Sequence, residues 1–269
     1  MYSRYTIAQK YFLYYIRSAN GKGHGIHSPF VYDFVRNVLL GQDANPLEEM
    51  IEDIRAGLQK DRRVIEIDDF GAGSGIQKGR FRRLQEITKT SSKSRKLGKL
   101  LSRLAGYYDS HTIIELGTSL GFSTAYLASA REKSICYTIE GSEVLSKLAR
   151  ENFEKLGLKN IRVQTGPFDK ILPEILTDPA VKESPLDFAF IDGNHRFIPT
   201  MHYFDLIKQR ISKNGLIVFD DIHWSAEMER AWNKIKKDPS VRLSIDLFFL
   251  GIVFFREEFK VKQEFEIRF

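Results

Sequence analysis

The second half of the chain alternates between strand-like and helix-like segments, and this alternation restricts the fold more than any other feature. After residue 110 come the short apolar runs "TIIEL", "ICYTIE", "IRVQT", "LDFAFID", "GLIVFDD" and "RLSIDLF", most of them rich in β-branched residues. Each of the first five is followed by a segment that suits a helix. Runs that are apolar on both faces and joined through helices predict a mostly parallel sheet with helices on both sides. The last helix is expected over "SAEMERAWNKIKKD". Ser225 is placed to cap it, Glu227 and Glu229 suit its positive end, Lys236 and Lys237 suit its negative end, and Pro239 stops it. "LSIDLFFLGIVFF" then reads as two strands with almost no room between them, a closing antiparallel hairpin.

The first hundred residues follow a different pattern. Ala8, Tyr11, Phe12 and Tyr15 fall at i, i+3, i+4 and i+7, and Phe30, Phe34, Val35 and Val38 do much the same. Two amphipathic helices are expected, separated by the turn-rich "SANGKGHGIHSP". Between residues 78 and 103 ten basic side chains stand against one acid, Glu86. This stretch reads either as a solvated helix and loop or as an anion-facing surface. Leu97, Leu100, Leu101 and Leu104 then mark a helix that packs onto the α/β half of the chain. The expected division is a mainly helical N-terminal extension over 1–95, packed on an α/β domain over 96–269.

With 269 residues and 42% hydrophobic content, the chain can bury one large core or two small ones. The 41 Lys and Arg against 35 Asp and Glu leave a formal charge of +6, which permits an anionic partner without requiring one. A single cysteine, Cys136, excludes an intramolecular disulfide and a Cys-based zinc cluster and suits a reducing cytoplasm. No apolar run approaches the roughly 20 residues needed to span a bilayer, and the polar breaks of the N-terminal segment argue against a signal peptide.

Two glycine-rich segments compete for a nucleotide-type cofactor: "DDFGAGSG" at 68–75 and "IIELGTSLGFST" at 113–124. Such a site needs close backbone approach, a helix N-terminus, and an acid at the end of the next strand to hold ribose hydroxyls. The second segment meets all three conditions: "FSTAYLASA" suits a helix, and "ICYTIE" ends in Glu140 at about the ~20-residue spacing expected. The first is followed by Gly79 within its potential helix and by no acid-tipped strand. Cofactor binding is therefore assigned to Glu115, Gly117, Thr118, Ser119, Gly121, Ser123 and Glu140, with Ser123 or Thr124 as helix cap. Ser119 breaks the G-x-G-x-x-G pattern of dinucleotide loops and disfavours NAD.

The pattern E-x-G-x-x-x-G with a later ribose-binding acid resembles motif I of class I S-adenosylmethionine-dependent methyltransferases, a resemblance that covers about residues 96–256. It implies a Rossmann-like, doubly wound, mostly parallel seven-stranded sheet, S-adenosylmethionine as cofactor, and Phe168 of "TGPFD" beside the adenine; ordinary packing is the alternative for Phe168.

Polar residues at strand ends carry the remaining chemistry, because ligands of open α/β sheets bind at that edge. "LDFAFIDGNH" places Asp192 just past the fourth strand with His195 three residues on, and "GLIVFDDIHW" places Asp220 and Asp221 past the fifth, followed by His223 and Trp224. Neighbouring carboxylates repel unless a cation or proton compensates, and oxygen donors of this type suit Mg²⁺ or another hard divalent ion. The order is similar to that of metal-dependent O-methyltransferases of the catechol and caffeoyl-CoA type, and closer still to a bacterial Asp-Gly-x-His branch. Carried over, Asp192, Asp220 and Asp221 are the candidate metal ligands, and His195 stands where that family has a catalytic lysine; it could equally be a metal ligand. Asp221 in place of Asn and His195 in place of Lys are departures. Acid–base or cofactor contacts without metal, and turn roles alone, stay open alternatives.

These readings converge on a methyltransferase acting on the oxygen of a small molecule or sugar. Asp192, His195 and Asp220 are its candidate catalytic residues, and Asp192 also contacts the cofactor. Residues 68–75 read as a cover over the acceptor, and Asp68, Asp69, His223 and Trp224 are candidate acceptor contacts; a turn stabilised by Asp side chains is the plainer alternative for 68–75. An RNA or protein methyltransferase using the basic stretch and a non-catalytic cofactor-binding or interaction protein are the competing functions. A homo-oligomer is compatible with all of them.

Overall fold

The computed structural model describes residues 1–19, 21, 27–42, 45–67, 81–90 and 93–269. Asp68, Asp69 and the glycine-rich segment they open lie outside these residues. The chain starts with helices α1 (Arg4–Arg17) and α2 (Pro29–Phe34), the latter running into a π-helical turn at Val35–Leu39. Helix α3 (Glu48–Leu58), strands β1 (Val64–Glu66) and β2 (Phe81–Arg83), and helices α4 (Leu84–Thr90) and α5 (Arg95–Tyr107) come next. Strands and helices then alternate: β3 (Thr112–Leu116), α6 (Phe122–Ser129), β4 (Ile135–Glu140), α7 (Glu143–Lys155), β5 (Ile161–Thr165), α8 (Phe168–Thr177) with the short α9 (Pro179–Lys182), β6 (Leu186–Ile191), α10 (Phe197–Lys208), β7 (Ile211–Asp220) and α11 (Ala226–Lys237). The last elements are β8 (Leu243–Asp246), β9 (Leu250–Phe254) and β10 (Gln263–Glu266).

Among the described residues the main sheet has eight strands in the order β10-β8-β9-β7-β6-β3-β4-β5. This is the expected mostly parallel, Rossmann-like sheet with an antiparallel C-terminal hairpin, and it has one strand more than expected. The addition is β10, parallel to β8 with Phe265 opposite Ile245. Its sequence "QEFE" alternates between exposed and partly buried positions and lacks β-branched residues, so it carries no strand signal of its own.

Two compact units divide the chain, Asp43–Leu186 and Met1–Gln42 with Asp187–Phe269. In the first, β4 is parallel to both β3 and β5, and Thr138 lies opposite Glu115 on one side and Val163 on the other. Ile51, Leu84, Ile87, Phe122, Tyr126 and Phe153 bury together beside these strands, each worth about 1.5–3 kcal/mol if fully desolvated. Ser94 caps α5 as its hydroxyl accepts the Leu97 N–H. Arg95 and Lys99 of the basic stretch pair with Glu48, and Arg95 also with Glu49. Part of the charge that suggested an anion surface is thus matched by the acids that open α3.

In the second unit β9 is antiparallel to both β7 and β8. Helix α11 starts and stops as expected, the Ser225 hydroxyl accepting the Met228 N–H and Asp238 forming the C-cap ahead of Pro239. Its Trp232 and the strand residues Phe219 and Phe254 are fully buried. Helix α1 forms where expected but turns another face inward. Tyr14 is its buried residue, whereas Tyr11, Phe12 and Tyr15 of the expected stripe are exposed. The Tyr14 hydroxyl decides the rotation, donating to the carbonyls of Asp246, at 3.0 Å, and Ile267.

Candidate active site

The loop after β3 is built around two carboxylates. Glu115 is completely buried on β3. Its Oε2 accepts the Thr138 hydroxyl at 2.7 Å and that of Thr124, while Oε1 is buried without a hydrogen-bond partner of regular geometry. Burial raises the Glu115 pKa, against the pull of the Ser123, Thr124 and Thr138 hydroxyls. Thr118 bonds to Thr138 in turn, hydroxyl to hydroxyl at 2.6 Å. Thr138 went unnoticed in the sequence because its role comes from register: it is the cross-strand partner of Glu115.

The turn itself needs its glycines. Gly117 has φ 105°, and Gly121, the residue that caps α6, has φ 84°, a region L-residues reach only with strain. Neither Ser123 nor Thr124 caps the helix, a correction to the sequence reading: Gly121 does so without a side-chain bond, and Thr124 turns to Glu115 instead. Ser119, at φ 48°, donates its backbone N–H to Glu140 Oε2 at 2.7 Å, while its own hydroxyl oxygen is buried and without a partner among the described residues. Glu140 Oε1 accepts the Ser142 N–H at 2.9 Å. Phe168 opens α8, partly exposed, after Gly166, whose N–H donates to the Glu140 carbonyl at 2.9 Å.

The second group of candidates lies at the ends of β6 and β7. Asp192 Oδ1 is 3.6 Å from His195 Nε2, and Asp220, 1% exposed, completes a set with these two. One donor atom from each lies within 4.8 Å of the others, and two carboxylate oxygens with an imidazole nitrogen are donors that a divalent ion accepts. Asp221 is outside this set: of the three aspartates the resemblance offered as ligands the structure gathers Asp192 and Asp220, and it adds His195, the alternative ligand. Asp221 has φ 54°, and its N–H donates to the Phe249 carbonyl at 2.8 Å. Asn194, unremarked in the sequence, also has a positive φ, 52°. Its amide donates to the Tyr203 hydroxyl at 3.2 Å, and its carbonyl oxygen is buried without a partner among the described residues.

His223 and Trp224 lie in the turn after β7. The His223 ring lies between two carboxylates, Nδ1 3.1 Å from Glu229 and Nε2 2.9 Å from Asp246. Ionised carboxylates only accept, so both ring nitrogens must carry protons. Burial would depress the pKa of this histidine, but the bonds to Asp246 and Glu229 outweigh it and raise the pKa. Glu229 also accepts the Tyr2 hydroxyl and the Lys10 ammonium, and Asp246 accepts the Trp232 indole N–H. The imidazole is thereby fixed in a network within its own unit. Trp224 is partly buried, its carbonyl accepting the Tyr2 N–H at 3.0 Å.

Residues 114–222 match a family described as a methyltransferase domain. The chain is 34% identical over 128 residues to a catechol O-methyltransferase of Niastella koreensis, the match covering 46% of this chain and 55% of that protein. It is 37% identical over 67 residues to a protein-L-isoaspartate O-methyltransferase of Petrotoga mobilis, covering 25% and 30%. The chain thus spans about half the length of the first relative and less of the second. Among solved structures, the O-methyltransferase from Bacillus cereus in complex with SAH superimposes with a TM-score of 0.56 at 22% identity, covering 84% of this chain and 97% of that one. Over residues 114–222 in sequence, and over most of its length in fold, the chain is similar to class I S-adenosylmethionine-dependent O-methyltransferases.

Proposed function

We propose that this chain transfers the methyl group of S-adenosylmethionine to an oxygen of a small molecule or sugar. The observation that carries the reading is the Asp192–His195–Asp220 set, a base flanked by two carboxylates at strand ends. The residues of the β3 turn suit the cofactor: Glu115 Oε1 and Ser119 Oγ are buried polar atoms in need of a partner, and the positive φ of Gly117 and Gly121 keeps side chains off the turn. Glu140 would take the ribose hydroxyls and Phe168 the adenine, with Asp192 a further cofactor contact. When bound, the cofactor supplies a methyl group already activated by its sulfonium. What the chain must add is alignment of the acceptor and removal of its proton.

His195 is the proposed base, since a neutral imidazole takes a proton near neutral pH. The imidazolium formed would be stabilised by Asp192, whose Oδ1 is 3.6 Å from Nε2, and by Asp220. A divalent cation suits the same donors, and held by Asp192, Asp220 and His195 it would lower the pKa of an acceptor hydroxyl; Asp192 or Asp220 would then have to serve as base in place of His195. We assign choice of acceptor to residues 1–95, including Asp68 and Asp69, and an acceptor contact to Trp224; His223, the other candidate, has both ring nitrogens taken by Glu229 and Asp246.

Methyl transfer from labelled S-adenosylmethionine to a panel of catechols and sugars tests the reading, alongside calorimetry with S-adenosylhomocysteine. Asp192→Ala and Asp220→Ala should each lower turnover by at least about 100-fold while the product still binds, more weakly to the Asp192 variant. Loss of binding in both variants would put these acids in the cofactor pocket, and no transfer to any acceptor despite tight binding would favour a non-catalytic role. Activity lost in EDTA and restored by Mg²⁺ would select the metal-assisted form.

A further inference from the structure

Helix α1 carries its apolar side outward. Tyr5 is 72% exposed, Phe12 63%, Ile16 60% and Leu13 50%. At about 3.6 residues per turn Tyr5, Phe12 and Ile16 fall on one line with Leu13 beside it, while Tyr14 on the opposite side anchors the helix through its two carbonyl bonds. Single exposed apolar residues are ordinary, but a contiguous stripe of four marks an interaction surface.

The charges around the stripe identify the kind of partner. Helix α1 contains Arg4, Lys10 and Arg17 and no acid. Lys10 turns inward to Glu229, whereas Arg4 and Arg17 are exposed and fall on opposite flanks of the apolar line. Arg268 adds a third guanidinium, 4.4 Å over the ring of Tyr15. Tyr2, just ahead of α1, also lines a cleft of about 590 Å³ with Arg230, Lys234 and Lys237 of α11, and with Glu229, whose charge Lys10 and His223 offset.

The geometry points to an anionic lipid surface as the partner of this face. The apolar line of α1 enters the headgroup boundary, its tyrosines sit at the interface, and Arg4, Arg17 and Arg268 meet lipid phosphates. This is peripheral attachment: no described helix is long and apolar enough to cross a membrane. It stands independently of the methyltransferase reading.

Flotation of the full chain with phosphatidylcholine vesicles, with and without phosphatidylglycerol, tests it. The protein should float with the phosphatidylglycerol vesicles at low salt, and added salt should release it. The pair Phe12→Glu and Ile16→Glu should lower the bound fraction by about tenfold or more, with the helical circular dichroism kept. The pair Arg4→Glu and Arg17→Glu should weaken binding to the anionic vesicles at least about tenfold. No flotation on anionic vesicles would overturn the proposal, as would binding to phosphatidylcholine alone that is indifferent to the arginine pair. A concentration-dependent dimer broken by the Phe12 and Ile16 pair would give the face to a second copy instead.

Discussion

Glu140 Oε2 accepts the Ser119 backbone N–H at 2.7 Å, fastening the end of β4 to the turn after β3. One carboxylate thus shapes the turn at which the cofactor is proposed to bind. Glu140→Gln removes the charge and faces one of two backbone N–H donors, Ser119 or Ser142, with another donor. S-adenosylhomocysteine should bind about 10–100-fold more weakly, as expected for losing hydrogen bonds to a charged group. An unchanged calorimetric Kd would dissociate Glu140 from the cofactor.

Glu115 combines complete burial with a raised pKa. An acid that is harder to ionise in the folded state lowers stability as pH rises above its unfolded value near 4.3, until its folded pKa is passed. Glu115→Gln keeps the shape and can place its amide nitrogen at the Oε1 position. The variant should be at least as stable as the parent at neutral pH, its relative advantage shrinking towards pH 4 and below, while S-adenosylhomocysteine binds more weakly. Urea titrations at both pH values test the sign; a Gln variant less stable at pH 7 than at pH 4, each relative to the parent, would refute it.

Gly121 has φ 84°, and a Cβ there would stand 2.5 Å from Cε1 and Cζ of Phe153. Backbone strain and overpacking add, so Gly121→Ala should cost about 2–4 kcal/mol. Adding Phe153→Leu should return only part of the loss, because the strain in φ remains. If Gly121→Ala unfolds at the parental urea midpoint, the turn is more tolerant than its geometry implies.

His223 has a raised pKa, held by Asp246 and Glu229 against its burial. The stability it contributes is full below its unfolded pKa near 6.5 and is lost as pH rises through the higher folded value. The stability difference between the parent and His223→Gln should therefore be greatest in mild acid and shrink in alkali. Imidazole chemical shifts tracked against pH give the same answer directly: a midpoint below 6.5 would contradict the double hydrogen bond.

Local chemistry set how much could be read along the chain. Gly117, Gly121 and Glu140 stand at spacings imposed by a strand, a turn and a helix, so a short window shows them. The cap of α11 at Ser225 was legible for the same reason. Thr138 was not, because its bond to Glu115 depends on strand register, and β10 was not, because an edge strand half in water needs no apolar run.

The acidic set shows the boundary between the two sources. Asp220 and Asp221 are adjacent in sequence and equally acidic, yet the pleat of β7 and the positive φ of Asp221 bring only Asp220 into the set with Asp192 and His195. The rotation of α1 was decided likewise by its Tyr14 hydroxyl finding the carbonyls of Asp246 and Ile267, over 200 residues away. By itself the sequence determined the alternating α/β plan and the glycine turn, since backbone conformation and burial periodicity are properties of neighbouring residues. Only the tertiary structure decided which face of α1 meets water and which carboxylates converge, because those outcomes depend on partners that chain separation hides.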